Sequence, residues 1–167
     1  MRIKLADMEE LDDIMQMYDS CVSGMIENRI DQWDNQYPNK KIIKKDIESK
    51  SYYVAVIHEK IIGGINIDQK QDEKYLAIKW EDCSKKFLVV HRLAVKKEYW
   101  NAGIGKSLML FAEDLVISRG LNSIRLDTYS GNPKAMNFYK NLNYKQLGYI
   151  YLKKGKNEYY CFEKIIA

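Results

Sequence analysis

Cysteine, histidine and proline are scarce in this chain. Three cysteines, Cys21, Cys83 and Cys161, stand among 167 residues with wide and unpatterned spacing. That odd number excludes a disulfide framework and a zinc site built on paired cysteines. Reduced, buried thiols are the expected state. His58 and His91 are the only histidines, too few for a metal cluster, so no metal is expected. No apolar run reaches the length of a membrane span. The start, "MRIKLADMEE", lacks the apolar stretch of a signal peptide. The expectation is a cytoplasmic protein with no membrane partner. The net charge of +4 is small, and the lysines are spread along the chain. Nucleic acid requires a concentrated basic patch and is not expected as a partner, whereas a mild positive field favours an anionic ligand. Pro38 and Pro133, the only prolines, mark no linker, and no repeat divides the chain. Residues 1–167 therefore read as a single domain.

What is present is a regular alternation of elements. "RIKL" reads as a first strand, and Asp7 with Glu10 makes a pair resembling a capping box. Apolar residues at Met8, Leu11, Ile14, Met15, Tyr18, Cys21, Val22 and Met25 have helical spacing. Pro38 interrupts, and "NKKIIKKDIE" predicts a short second helix. "SYYVAVIHEKIIGGINID" predicts a hairpin turning around His58 to Lys60. "KQDEKYLAIKWEDCSKK" has no clear period and reads as a partly structured insertion. "FLVVHRLAV" predicts a strand covered on both faces. A helix follows over Ile104, Leu108, Phe111, Ala112 and Leu115, closed by Arg119 and Gly120. In "SIRLDTY", Ile124, Leu126 and Thr128 alternate with Arg125, Asp127 and Tyr129. Asn132 and Pro133 open a last helix, which Asn143 closes. "YKQLGYIYL" and "EYYCFEKII" predict an antiparallel pair. The order β-α-α-β-β-β-α-β-α-β-β predicts an α/β fold: a mixed, mostly antiparallel sheet with a central parallel strand pair and flanking helices.

The most informative stretch is "YWNAGIGKSLM", Tyr99 to Met109. It leaves a buried strand and opens a helix, so free amides and the positive helix end converge on one spot suited to an anion, most naturally a phosphate. A plain strand-to-helix turn would also use this pattern. Two nucleotide turns fail on counting. A P-loop ending at Gly105-Lys106-Ser107 needs glycine where Trp100 stands. A dinucleotide turn through Gly103 and Gly105 needs glycine where Leu108 stands.

A third pattern fits. "HRLAVKKEYWNAGIGKSLM" and the downstream "DTYSGNPKAMNFYKNLNY" resemble the acyl-coenzyme A region of the GNAT N-acetyltransferase superfamily. That family has Arg/Gln-x-x-Gly-x-Gly/Ala before a helix, then an N-x-x-A-x-x-x-Y helix. Gly103 and Gly105 take the two small positions, and Asn132, Ala135 and Tyr139 fill the second phrase. Trp100 departs from the pattern, standing where Arg or Gln is usual, which implies an altered contact at a retained site. "QWDNQYP", "VHRLAV" and "IRLDTYS" also resemble a bacterial branch of the superfamily, which supplies no substrate.

The resemblance implies an acetyl-CoA-dependent N-acetyltransferase acting on a primary amine by direct attack through a tetrahedral intermediate, with no acyl-enzyme. It implies that the backbone at Leu93, Ala94 and Val95 runs along the pantetheine arm, with the Leu93 amide facing the thioester oxygen. The amides from Asn101 through Ala102, Gly103, Ile104, Gly105 and Lys106 to Ser107 would cradle the pyrophosphate. Asn132, Ala135 and Phe138 would lie beside the coenzyme, Asn132 acting first as a helix cap. Tyr139 is the implied acid that returns a proton to the thiolate, and its spacing with Phe138 and Leu142 equally suits a core aromatic. The base is open between His91, of the residue type that commonly serves as a general base, and Asp127, which Arg125 would otherwise pair on an open face. Strand parity puts His91 in register with Val89 and Leu93. Trp33 and Tyr37, with Asp31 and Asp34 beside them, suit a wall for a cationic acceptor or a packed loop; Tyr151, Tyr159 and Tyr160 are weaker candidates. A small-molecule amine or a protein N-terminus is the expected acceptor. The terminal strands offer an edge for a homodimer. A non-catalytic acyl-CoA binding module would keep the turn and make His91, Asp127 and Tyr139 structural.

Overall fold

Seven strands and four helices follow the predicted order in the computed structural model, which describes residues 1–167. The strands are β1 (Arg2–Leu5), β2 (Tyr52–Ile57), β3 (Lys60–Asp68), β4 (Phe87–Val95), β5 (Ser123–Tyr129), β6 (Lys145–Ile150) and β7 (Tyr159–Ile165). The helices are α1 (Leu11–Glu27), α2 (Lys40–Glu48), α3 (Ile104–Ser118) and α4 (Pro133–Asn141). The strand order is β1-β2-β3-β4-β5-β7-β6, mostly antiparallel, with β4 and β5 the one parallel pair. No helix is long and apolar enough to cross a membrane. The chain packs as two compact units, Met1–Ile67 with His91–Phe111, and Asp68–Val90 with Ala112–Ala167.

In the first unit, the apolar stripe of α1 is buried as its spacing requires. Leu11, Ile14, Met17, Tyr18, Cys21, Val22 and Met25 join Ile43 and Ile47 of α2 and Tyr52 and Val54 of β2 in one core. The Asp7 amide donates to Glu10 Oε2 at 2.8 Å and starts a 3-10 turn that runs into α1. Asn39 caps α2 by accepting from the Ile42 amide at 3.0 Å. The β2–β3 hairpin turns on His58 (φ 48°) and Glu59 (φ 62°), a left-handed pair formed without glycine.

In the second unit, β5 pairs in parallel with the start of β4 and antiparallel with β7. Asn132 accepts from the Ala135 amide at 3.1 Å and caps α4, with Pro133 at its first turn. Asn143 (φ 66°) and Gly120 (φ 64°) take the left-handed conformations expected beyond helix ends. Between β3 and β4 the only regular piece is a 3-10 turn at Glu73–Ala77.

Arg125 and Glu163 fasten that connection. The buried guanidinium lies over the Trp80 and Phe87 rings, 4.5 and 4.0 Å from their centroids. It donates to the Asp82 carbonyl at 2.7 Å and to Glu163 Oε2 at 3.3 Å. Glu163 Oε1 accepts from the amides of Glu81 (2.8 Å) and Asp82 (3.2 Å). Two sequence expectations change here. Arg125 pairs with Glu163 rather than with Asp127, because it is buried under two aromatic rings. Strand β4 is not covered throughout: Leu88–Val90 and Ala94 are buried, while His91, Arg92, Leu93 and Val95 are half-buried.

Candidate active site

The second half of β4 is shaped by Arg92. Its backbone is left-handed (φ 54°), so the alternation that would align His91 with Val89 and Leu93 breaks at this residue. A non-glycine residue holds such a conformation only where its surroundings enforce it. Here Tyr18 donates to the Arg92 carbonyl at 2.8 Å, and Tyr52 donates to the Tyr18 hydroxyl at 2.9 Å. The guanidinium donates twice to Asp46 Oδ2, at 2.6 and 2.9 Å, and once to the Tyr37 hydroxyl at 3.4 Å. Burial pushes the Tyr18 and Tyr52 phenols well above the usual range and keeps them as neutral donors.

Beyond β4 a 3-10 turn at Lys97–Tyr99 leads into Asn101 (φ 63°) and Gly103 (φ 83°), both left-handed, and α3 begins at Ile104. The Ser107 amide bonds back to the Gly103 carbonyl at 3.0 Å. The amides of Ile104, Gly105 and Lys106 precede it in the first turn, where a helix leaves its N–H groups without intrahelical acceptors. Asn101, Ala102, Gly103 and Lys106 are exposed, Gly105 and Ser107 half-buried, and Ile104 buried. A Cβ built on Gly103 would meet nothing within 4 Å, so the space over the turn is open.

Trp100 turns the other way. Its Nε1 donates to the Val95 carbonyl at 2.8 Å, and its six-membered ring lies against Gly24 of α1. The Lys97 amide donates to Ser20 Oγ at 3.0 Å, and the Lys97 ammonium pairs with Glu27. The glycine turn is thus fastened to α1 on the side of its 3-10 segment. Trp33 and Tyr37 are in the same unit. Trp33 is buried edge-on to Tyr18, with ring centroids 5.8 Å apart. Tyr37 is half-buried, its amide held by Asp34 Oδ1 at 3.0 Å. The first unit therefore carries His91, Leu93–Val95, Asn101–Ser107, Trp33 and Tyr37.

The second unit carries Asp127, Asn132, Ala135, Phe138 and Tyr139. Tyr139 is buried among Phe138, Tyr144 and Phe162, with ring centroids 5.0, 6.1 and 6.0 Å away. Burial first, and the charge of Asp127 second, push its phenol well above the usual range, so it stays protonated. Asp127 is the one residue of β5 that is not buried. Its Oδ2 accepts from the hydroxyl of Tyr75 at 2.5 Å. Across the ladder it faces Cys161, whose thiol is pushed up to about 12 by burial and then by the Asp127 charge. Asn132 is buried, with Oδ1 engaged in the α4 cap; Ala135 and Phe138 are half-buried. Tyr159 is buried against Tyr129 at 5.1 Å, Tyr151 is exposed and Tyr160 half-buried. Tyr75 is the residue that sequence reasoning missed. It sits in the aperiodic connection after β3, and no local pattern marks its long-range partner.

Residues 11–144 match the model of the acetyltransferase (GNAT) family. A Staphylococcus aureus Mu50 protein assigned as an acetyltransferase is 26% identical over 100% of both chains, with a TM-score of 0.78. A GNAT-family acetyltransferase of Streptococcus agalactiae 2603 is 23% identical over 98% of this chain and 94% of its own, with a TM-score of 0.85. PaiA N-acetyltransferase of Thermoplasma acidophilum, solved in complex with coenzyme A, is 18% identical over 98% of each chain, with a TM-score of 0.75. The last two likenesses are of fold.

Proposed function

The chain belongs to the acetyltransferase (GNAT) family, and on that footing we propose that it moves an acetyl group from acetyl-CoA to a primary amine by direct attack on the thioester. The observation that carries this reading is the turn at Asn101–Ser107. Its left-handed Gly103 opens onto empty space beside the first-turn amides of α3, an arrangement that suits a pyrophosphate. A coenzyme A complex of a protein sharing this fold supports the same ligand. Lys106, exposed in that turn, adds positive charge. The backbone at Leu93, Ala94 and Val95 is assigned to the pantetheine arm, and the Leu93 amide to the thioester oxygen. Asn132, Ala135 and Phe138 are assigned to the coenzyme side of α4, and Trp33 and Tyr37 to the acceptor side of the first unit.

The thioester supplies an activated acetyl group; the chain supplies binding and proton handling. Tyr139 is assigned as the general acid that returns a proton to the departing thiolate. His91 is the general base, half-buried at the point where β4 departs from regular geometry. Asp127, the rival candidate, already accepts the Tyr75 hydroxyl at Oδ2. The acceptor is a small-molecule amine or a protein N-terminus.

Titration calorimetry with acetyl-CoA tests the donor, and release of free thiol across a panel of amines tests the reaction. Saturable binding with amine-dependent thiol release is the expected result. Lack of binding overturns the proposal. Binding without transfer to any amine reduces it to a coenzyme-binding module.

A further inference from the structure

One peptide unit joins the left-handed residue of β4 to the amide assigned to the thioester oxygen. The Arg92 carbonyl and the Leu93 N–H belong to the same planar group, and that peptide is trans. The two bonds therefore point in opposite directions, so whatever fixes the carbonyl also aims the N–H. The carbonyl accepts from the Tyr18 hydroxyl at 2.8 Å, and that hydroxyl accepts in turn from Tyr52 at 2.9 Å. Both rings are fully buried, so packing and not solvent chooses the partner of each hydroxyl.

Room for this relay is built into β3. Gly64 is not left-handed, so no turn requires a glycine there. A Cβ at Gly64 would collide with the Tyr52 hydroxyl and lie 2.8 Å from its Cζ. Glycine weakens a strand interior and marks a close approach; here the approaching group is the first phenol of the relay. The Arg92 side chain is fixed separately, by two bonds to Asp46 Oδ2. Downstream, Trp100 Nε1 holds the Val95 carbonyl at 2.8 Å, and the Lys96 amide donates to the Ile62 carbonyl at 2.8 Å. Leu93–Val95 is thus a short span held at both ends, and every residue that holds it lies in the first unit.

Hydrogen bonds in a chain polarise one another. A phenol that accepts a bond donates more strongly, and a peptide whose carbonyl accepts a bond offers a stronger N–H donor. We propose that Tyr18, steadied by Tyr52, is a positioning residue that aims and polarises the Leu93 amide toward the thioester carbonyl of acetyl-CoA. Neither phenol touches the ligand or gives up its proton. This role rests on the acetyl-transfer reading and deepens it by naming the residues of α1 and β2 that prepare the donor site.

The test compares acetyl-CoA with coenzyme A, which keeps the pantetheine arm and the pyrophosphate but lacks the thioester carbonyl. Calorimetry is run on the full chain as wild type, Tyr18→Phe and Tyr52→Phe, with melting temperature confirming that each is folded. In Tyr18→Phe the acetyl-CoA Kd is expected to rise about fivefold while the coenzyme A Kd stays within about twofold of wild type. In Tyr52→Phe a smaller loss, about twofold, is expected for acetyl-CoA alone. In isotope-labelled protein without ligand, the Leu93 amide nitrogen resonance is expected to move upfield in Tyr18→Phe, as a less polarised peptide requires. A general loosening of the fold would weaken both ligands alike, so equal losses overturn the inference. An unchanged acetyl-CoA Kd or an unmoved Leu93 resonance in Tyr18→Phe also overturns it. A wild type that binds neither ligand overturns the acetyl-transfer reading itself. If Tyr18→Phe does not fold, Tyr52→Phe decides by the same comparison: weakening of acetyl-CoA alone upholds the relay, and weakening of both ligands or of neither overturns it.

Discussion

The Trp100 indole stands where a side chain at Gly24 would have to go: a Cβ there would lie 2.6 Å from Cη2 and 2.9 Å from Cζ2. The ring has little freedom to yield, since its Nε1 is bonded to the Val95 carbonyl at 2.8 Å. The first helix and the glycine turn are thereby locked together within the first unit. The indole that replaces the usual Arg or Gln thus serves packing and orientation, and its own hydrogen-bonding capacity is spent on β4.

Gly24→Ala is the direct consequence. In an exposed helix interior this change gains about 1 kcal/mol. Here the added methyl must displace a tethered ring, and overpacking costs about 1–3 kcal/mol. The second effect wins, so the melting temperature is expected to fall. Acetyl-CoA binding is expected to weaken as the turn shifts. Combining Gly24→Ala with Trp100→Gln should recover part of the stability lost on Gly24→Ala. A Gly24→Ala protein that melts higher than wild type would refute the lock.

Tyr139→Phe separates chemistry from packing. The ring stays against Phe138, Tyr144 and Phe162, so the fold and the acetyl-CoA Kd should hold. Loss of a general acid is expected to lower kcat about 100-fold. Stopped-assay product formation and calorimetry on the same preparation check both halves. Unchanged kcat would leave Tyr139 as a core aromatic, the other meaning of its spacing.

Much of this architecture is legible in the chain because it rests on local physics. The α1 stripe has one period and one buried face, and Asn132-Pro133 and Asn143 bracket α4 with capping chemistry that is written in adjacent residues. The turn at Gly103 is legible for the same reason, since its two glycines stand together between a buried strand and a helix. What is hidden depends on distant partners. Arg92 is left-handed because Tyr18 and Asp46 hold it, and neither is near it in sequence. The direction of Trp100 depends on the absence of a side chain at Gly24. Tyr75 meets Asp127 across 52 residues, and the segment around it lacks any period by which a strand or helix face could be assigned. Arg125 reads as a surface partner for Asp127 only while the rings of Trp80 and Phe87 are out of view.

Thiol labelling offers a test of burial in both units. Cys21 is buried in the first core, and its thiol is pushed up to about 11, chiefly by that burial. Cys161 is buried in β7, its thiol pushed up to about 12. Cys83 alone is exposed. Thiolate is the reactive form, so at about pH 8 a disulfide reagent should modify one thiol per native chain, with all three reacting after unfolding in urea. Peptide mapping should find the label on Cys83. Fast modification of Cys161 in the native protein would contradict its place opposite Asp127.

Alkaline pH should unfold the protein abruptly. The phenols of Tyr18, Tyr52, Tyr75, Tyr139 and Tyr144 are all raised above their ordinary range, with burial the largest cause in each. Below the unfolded phenol value of about 10, both states hold these protons and the stabilisation is fully present. Above it the unfolded chain releases them while the folded chain retains them, so stability falls as pH climbs toward the folded values. The slope is about 1.4 kcal/mol per pH unit for each phenol. Five phenols together give about 7 kcal/mol per unit, comparable with the total stability of a small protein. Secondary structure should therefore persist at about pH 9 and disappear within about one to two units above pH 10, with tyrosinate absorbance rising in the same step as far-UV circular dichroism is lost. A gradual rise in tyrosinate with unchanged dichroism would mean that these phenols ionise in the folded state, and the buried network that holds Arg92 and Asp127 would not be as described.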